Sequence, residues 1–443
     1  MRNLSAIDNY QIESISLAKK YLRRCKKKGI NINVSPFCDF VTWAQGVGNE
    51  NLKQLIIPKK VNFKLLYFYL LEVITIAKLG CYLKTSLKLE KNNKKLNIIA
   101  SYSKKSNYTN NGIFKDSYFN LTNKKNKIIW FLLSLDNYIP SKRKNLFIIH
   151  KKKNQYSWFL LIQMLIKNLF KKNFFYRFNN TTLFSEMMSD MFYDLFKDKK
   201  FNLYLPYESR PLQNALIDAA KKISKKNKIF AYLHNMPWPF QVDMIYKNKN
   251  IDILFVCSHL QKFFFTRYYG WPKKKIKVIS SLRFTSLAKR KSTIFLPYEI
   301  NNEKFYIKNL LIFFKLKKFN DKNLKISIHP LKKLDKRHIN FKKLIIETIA
   351  GIKGVKKNKI KTFNSILIGT PGGMATECLQ SVGKVYHITN NKYDIFSKKI
   401  WTNLDIKIFN QFTYEYTTIK KDYFIKLKSS KNFLKQKITE NIL

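Results

Sequence analysis

From about residue 96 onward the chain alternates short apolar runs with longer segments whose apolar residues recur every three or four positions. No other feature constrains the fold as strongly. A run of four to seven apolar residues suits a strand buried on both faces. A helix-period segment between two such runs carries the chain back to begin the next strand in parallel. Strands are expected at 96–101, 127–133, 145–150, 202–206, 229–233, 251–257 and 276–280. Helices are expected at 158–170, 182–196, 211–222 and 260–269, the third with Pro211 in its first turn and the last stopped by Gly270-Trp271-Pro272. The polar, basic stretch 286–292, SLAKRKS, reads as a linker. A second series follows, with strands at 293–297 and 325–329 and helices at 302–317 and 338–352. It ends in a compact unit, 364–388: strand, Thr-Pro-Gly-Gly turn, short helix at 374–381, and strand at 384–388. The tail, 423–443, reads as a basic helix.

Residues 1–92 lack this alternation and read as a mostly helical extension. Their apolar run at 65–77, LLYFYLLEVITIA, is too short to span a membrane and carries Glu72, so a buried helix is expected. The architecture is therefore α/β: the extension over 1–92, then two domains over 93–285 and 286–443 that face each other across a cleft.

The formal charge of +58 on 443 residues admits three origins. One is a nucleic-acid surface. Another is attraction to anionic lipid or phosphorylated substrates. The third is compositional bias, since Lys far outnumbers Arg and Asn, Ile, Phe and Tyr are also abundant. The lysines are spread along the whole length, and nucleic-acid readers lean on the bidentate Arg fork, so no nucleic-acid partner is expected. The five cysteines are scattered without a CxxC pair, which argues against a disulfide framework or zinc site and for a reducing cytoplasm. The first residues, MRNLSAIDNYQIES, carry no apolar core of signal-peptide type.

In open parallel sheets ligands bind at the carboxyl ends of the strands. The polar residues at those ends are few. In the first domain they are Glu208 in PYESRP, His234 in YLHN, Ser258 and Arg283; in the second, Glu299, His329 in IHP, and Thr370 with Gly372 and Gly373. Glu208 could act as a general base, or cap a helix and pair with Arg210. His234, the second choice of base, could bind the acceptor or stabilise phosphate, or be a hydrogen-bonded histidine in a turn; Arg283 could neutralise a leaving phosphate or diphosphate, or lie on the surface. The glycine turn lets backbone approach a ligand, and the helix amino end behind it suits a phosphate, with Glu377 about one turn further on, where a sugar hydroxyl could lie. The GxGxxG, GxxxxGK[ST], HExxH and GxSxG patterns are missing, and no Asp pair is spaced to hold a metal-bound nucleotide sugar. A reaction without metal or cofactor is expected.

These residues, taken in order over 202–388, resemble those of bacterial surface-carbohydrate glycosyltransferases of the GT-B type, in which two Rossmann-like domains enclose the substrates. The resemblance rests on LPYESRPLQNALIDAA, YLHN, YYGWPKKKIKVISSLRF, SIHPLKK and IGTPGGMATECLQSVGKVYHI. The His329-Pro330 pair followed by a hydroxyl- and glycine-bearing turn is also similar to the nucleotide site of bacterial sialyltransferases and polyol-phosphate transferases. The resemblance implies that Arg283, His329, Thr370, Gly372, Gly373 and Glu377 hold the donor nucleotide. It implies that Glu208 and His234 face the acceptor and the reacting bond. It further implies a nucleotide-sugar donor, a lipid-linked or oligosaccharide acceptor, and a cytoplasmic place at the inner face of an anionic membrane. Two departures stand out: Pro371-Gly372-Gly373 where relatives often carry two hydroxyl residues, and Ser209 where glycine is commoner. Transfer of a polyol phosphate or sugar phosphate on the same fold is the alternative. A non-catalytic nucleic-acid binder is the reading from another class.

Overall fold

The computed structural model describes residues 4–27, 82–84, 95–124, 128–136, 138–141, 145–151, 182–234, 242–282, 293–297, 299–300, 302–317, 325–329, 332–351, 365–369, 378–380, 384–392 and 394–418. The helices expected at 158–170 and 423–443 and the apolar run at 65–77 lie outside these residues.

The first sheet contains β1 (Tyr82–Lys84), β2 (Leu96–Ser103), β3 (Ile128–Ser134), β4 (Leu146–Lys151), β5 (Phe201–Pro206), β6 (Lys228–Tyr232), β7 (Ile253–Val256) and β8 (Ile276–Val278). Their order across the sheet is β1-β4-β3-β2-β5-β6-β7-β8. All neighbours are parallel except β1, which runs antiparallel along β4. Part of the stretch 1–92 thus supplies an edge strand. Three residues, YLK, are too few to show a strand period in the sequence.

From β2 the chain steps outward to β4, returns to β5 beside β2, and proceeds the other way to β8. The winding reverses between β2 and β5, which leaves a crevice at their carboxyl ends. All six residues of β5 are buried, as expected of a central strand covered on both faces. Asn202 of this strand donates its Nδ2 to Asn97 Oδ1 of β2 at 3.1 Å in the core. Helices α2 (Thr182–Phe196) and α3 (Pro211–Ile223) pack against each other, and Phe192 of α2 meets Phe131 of β3 edge-on at 5.1 Å. The helix expected at 260–269 is α-helical only over α4 (His259–Phe264). It widens into a π turn, Phe265–Tyr269, before Gly270 ends it at φ 74°.

The second sheet contains β9 (Thr293–Phe295), β10 (Lys325–Ser327), β11 (Ser365–Ile368), β12 (Lys384–Ile388), β13 (Leu404–Asn410) and β14 (Thr413–Thr418), in the order β10-β9-β11-β12-β14-β13. The first four run parallel, and β13 and β14 form an antiparallel hairpin on β12. The hairpin went unread in the sequence because three consecutive residues of β13, Lys407 to Phe409, alternate poorly and are not buried. Helices α5 (Glu303–Lys317) and α6 (Lys336–Ala350) bury Leu310, Phe313, Phe341 and Ile345 with Ile294, Ile366 and Ile388 of the sheet. The intervening strand residues, Phe295, Leu367 and Val385, join the apolar cluster of the first sheet instead. Phe264 of α4 stacks tilted on Trp401 at 5.7 Å, and Tyr268 Oη donates to the Lys399 carbonyl at 3.0 Å.

Helix α1 (Leu4–Lys27) fastens the two sheets. Its apolar face, with Ile7, Ile15 and Ala18, joins the first core and packs on the turn Val242–Ile245. Its buried polar residues reach the other way. Gln11 Nε2 donates to the carbonyls of Ile395 (2.7 Å) and Lys392 (2.9 Å). Asp8 Oδ1 accepts from the Ser397 hydroxyl and from the Lys399 N–H. Among the described residues no helix is long and apolar enough to cross a membrane.

Candidate functional site

β5 ends at Pro206, and Tyr207 N–H continues the ladder to the Tyr232 carbonyl at 2.8 Å. The chain must then turn sharply to start α3. Ser209 makes the turn at φ 61°, the left-handed region that favours glycine. The turn is held from beneath. Tyr207 Oη donates to Asn214 Oδ1 at 3.0 Å, and Asn214 Nδ2 donates to the Ser209 carbonyl at 3.1 Å. Gln213 Oε1 accepts from the N–H groups of Glu208 (2.8 Å) and Arg210 (3.1 Å), two donors that the helix start would otherwise leave unmatched.

With its backbone fixed, Glu208 directs its carboxylate at the end of the next strand. Oε1 lies 3.3 Å from His234 Nε2, and Oε2 lies 3.6 Å from Arg210 Nε. His234 is the second residue after β6. The side chains of Glu208, His234 and Arg210 are 21%, 11% and 35% exposed, so the trio is sheltered yet reachable. Glu208 pairs with Arg210, one of the readings its sequence position allowed, and also stands beside His234.

The loop 104–123 after β2 walls this group. It folds around Asp116, whose carboxylate accepts from Ser101 Oγ (2.5 Å) and from the N–H groups of Tyr118 (2.8 Å) and Phe119 (2.5 Å). Burial pushes the Asp116 carboxyl above its ordinary value, and those donors work against the shift. Ordered in this way, the loop sets the Tyr118 ring edge-on to His234 with centroids 4.5 Å apart, and Phe119 beside Tyr232 at 5.6 Å. Tyr102, 6.0 Å from Tyr118, completes the wall. Burial first, then the neighbouring Tyr118 and Glu208, hold its phenol well above its usual value, so it keeps its proton. The site therefore lies where the winding reverses, between the ends of β2 and β5.

The second sheet carries its own construction at the end of β11. Gly369 follows the strand at φ 64°, and its N–H donates to the Ile388 carbonyl at 2.9 Å. Buried His387 of β12 lies 2.6 Å from the Gly369 carbonyl through Nε2 and 3.0 Å from Tyr416 Oη through Nδ1. A carbonyl only accepts, so Nε2 carries the proton and the neutral ring accepts from Tyr416. Burial drives the His387 pKa down to about 4. A Cβ on Gly369 would lie 2.8 Å from Tyr306 Oη and 2.9 Å from Pro297 Cβ. Gly369→Ala is therefore expected to cost about 2 kcal/mol in chemical denaturation, from the left-handed backbone and the crowding together. An unchanged midpoint would show that the turn relaxes freely.

Of the residues singled out in the sequence, Glu208 and His234 are brought together. His329 stands half-buried just beyond β10, and its carbonyl accepts from Lys332 N–H at 2.8 Å. Ser258 caps α4, its hydroxyl accepting from Leu260 and Gln261 N–H. Glu299 pairs with Lys332 at 3.9 Å. Arg283, Thr370, Gly372, Gly373 and Glu377 lie outside the described residues. Tyr102, Asp116, Tyr118, Gln213 and His387 escaped sequence reading. Only Gln213 carried a usable signal, as the residue three beyond Arg210 at a helix start. Among the described residues no three His, Cys, Asp or Glu side chains converge as a metal site.

No protein-family model matches the chain, and no curated protein matches it. Among solved structures, the chain is similar to a glycosyltransferase from Rickettsia africae ESF-5 at 13% identity, over 79% of this chain and 94% of that one, with a TM-score of 0.34. A likeness that slight decides nothing about activity.

Proposed function

We propose that the protein is a GT-B glycosyltransferase that moves a sugar from a nucleotide-sugar donor to an oligosaccharide or lipid-linked acceptor of a surface polysaccharide. The observation that carries this reading is Glu208, aimed beside His234 at the winding reversal of a parallel sheet. The Glu208 carboxylate removes the proton from the acceptor hydroxyl as its oxygen bonds to the anomeric carbon, and the bond from that carbon to the phosphate oxygen breaks. His234 and Arg210 hold the carboxylate in position, and the Arg210 guanidinium balances its charge before the proton arrives. Tyr102, still protonated, offers a donor to the acceptor.

On the donor side the leaving phosphate needs positive potential. β10 and β11, the strands that lead into His329 and the 370–373 segment, are two strand spacings apart across β9, or roughly 10 Å, a span that suits a nucleotide diphosphate. In this reading Thr370, Gly372 and Gly373 receive the phosphates, Arg283 adds charge, and Glu377 bonds the ribose. The lysine-rich surface attracts the protein to an anionic membrane face, where a lipid-linked acceptor is presented.

Calorimetry against UDP, GDP, CDP and CMP sugars tests the proposal. Binding of one class with micromolar to millimolar affinity is expected. A folded protein that binds none of them ends it. Product analysis separates transfer of the sugar from transfer of its phosphate.

A further inference from the structure

A cavity of about 20 Å³, partly open to solvent, lies at the carboxyl ends of β2, β3 and β5, beneath the start of α3. Its walls are mostly carbon: Ala100, Leu133, Met188, Leu205 and Leu216 are among them. The polar residues that border it have other partners. Ser101 gives its hydroxyl to Asp116, and Gln213 Oε1 already accepts two N–H groups. A space of this size could take one water, but a water needs two to four polar partners, and these walls offer few. A small apolar group fits it better.

The position of the cavity gives it significance. Tyr102 and Gln213 line it, and both also belong to the Glu208 site: Gln213 bonds the Glu208 N–H, and Tyr102 lies 6.0 Å from Tyr118, whose ring packs on His234. The cavity and the site thus have two residues in common. A ligand that presents a hydroxyl to Glu208 has an apolar recess near it that can take a methyl group.

We propose that this cavity seats a methyl group of the acceptor sugar, so that the acceptor carries either an acetamido group or a 6-deoxy position. The inference rests on reading the Glu208 site as the acceptor site. Ala100, Leu205 and Leu216 then determine specificity. One methyl group in a fitted apolar pocket discriminates by about 10-fold.

The test uses the full chain and two matched pairs of probes: N-acetylglucosamine with glucose, and D-fucose with D-galactose. Affinity is read by titration, and contact by saturation transfer to the methyl protons. The wild type is expected to bind the methyl-bearing member of one pair about 10-fold more tightly, with strongest transfer at the methyl. The pair that shows the preference tells which methyl is seated. Ala100→Val fills the recess and is expected to erase the preference; Leu216→Phe fills it from the helix side, should the first variant fail to fold. Equal affinities in both pairs, no transfer to either methyl, or a preference that survives in a folded, filled variant would each overturn the proposal. A preference without sugar transfer from any nucleotide sugar would sink the glycosyltransferase reading and leave the methyl recess standing. Transfer without a preference would do the reverse.

Discussion

Glu208→Gln is expected to lower sugar transfer by about 10²- to 10⁴-fold, the range over which a positioned base accelerates proton removal. Glutamine keeps the shape of the side chain, and the turn beneath it is fixed by backbone bonds to Gln213 that the substitution leaves alone. Donor affinity and the thermal midpoint should therefore stay where they are. What changes is the group 3.3 Å from His234, which loses the charge needed to accept a proton. Turnover measured with the donor identified by calorimetry, at saturating acceptor, decides the matter. Undiminished turnover would remove Glu208 as the base, and a lowered donor affinity would place it on the wrong side of the reaction.

The second large effect concerns stability. His387 is neutral in the folded state, with its pKa lowered from 6.5 to about 4 by burial. The unfolded chain binds a proton at that residue below about pH 6.5, and the folded chain does not until about pH 4. More protons are bound on unfolding in that window, so stability falls as pH falls. The contribution is whole above pH 6.5, down by about 2 kcal/mol at pH 5 and by about 3 kcal/mol at pH 4. Other groups titrate there too, and buried Asp116 and Asp218, with raised pKa values, act in the opposite sense. The difference between wild type and His387→Gln isolates the histidine. Denaturant unfolding at pH 7.5, 6, 5 and 4 should show the variant less stable at the top of the range and the gap closing towards acid. Parallel pH profiles would mean that the ring is charged or solvated in the folded protein.

The sequence made the parallel elements legible because each strand is apolar throughout and each helix shows its period. α2 and α3 fall within a residue of expectation for that reason. The strand order was not legible. Nothing in a run such as FNLYLP says that it lies beside β2, and only that placement puts Glu208 at the winding reversal. Glu208 and His234 could be nominated because polar residues just past apolar strands are rare. Asp116 and Tyr118 could not, because they sit in an aperiodic loop whose shape comes from one buried carboxylate bonding N–H groups two and three residues ahead. His387 read as part of a core strand, which it is. Its polar partners come from Gly369 and from Tyr416 in the unread hairpin.

Helix α1 also bears on how the molecule comes to be folded. Gln11 and Asp8 find their partners 381 to 391 residues further along the chain. Loop closure over that distance is entropically costly and slow. A ribosome adding about 5–20 residues per second needs roughly 20–80 seconds to supply the partners after the helix emerges. Through that interval two polar side chains destined for burial face water, and the helix has only the first sheet to rest on. The buried polar contacts of α1 therefore wait until residues 392–399 have been supplied. Assembly of the second sheet is reported by the amino end of the chain, and an interrupted product leaves Asp8 and Gln11 exposed as a mark of incompleteness.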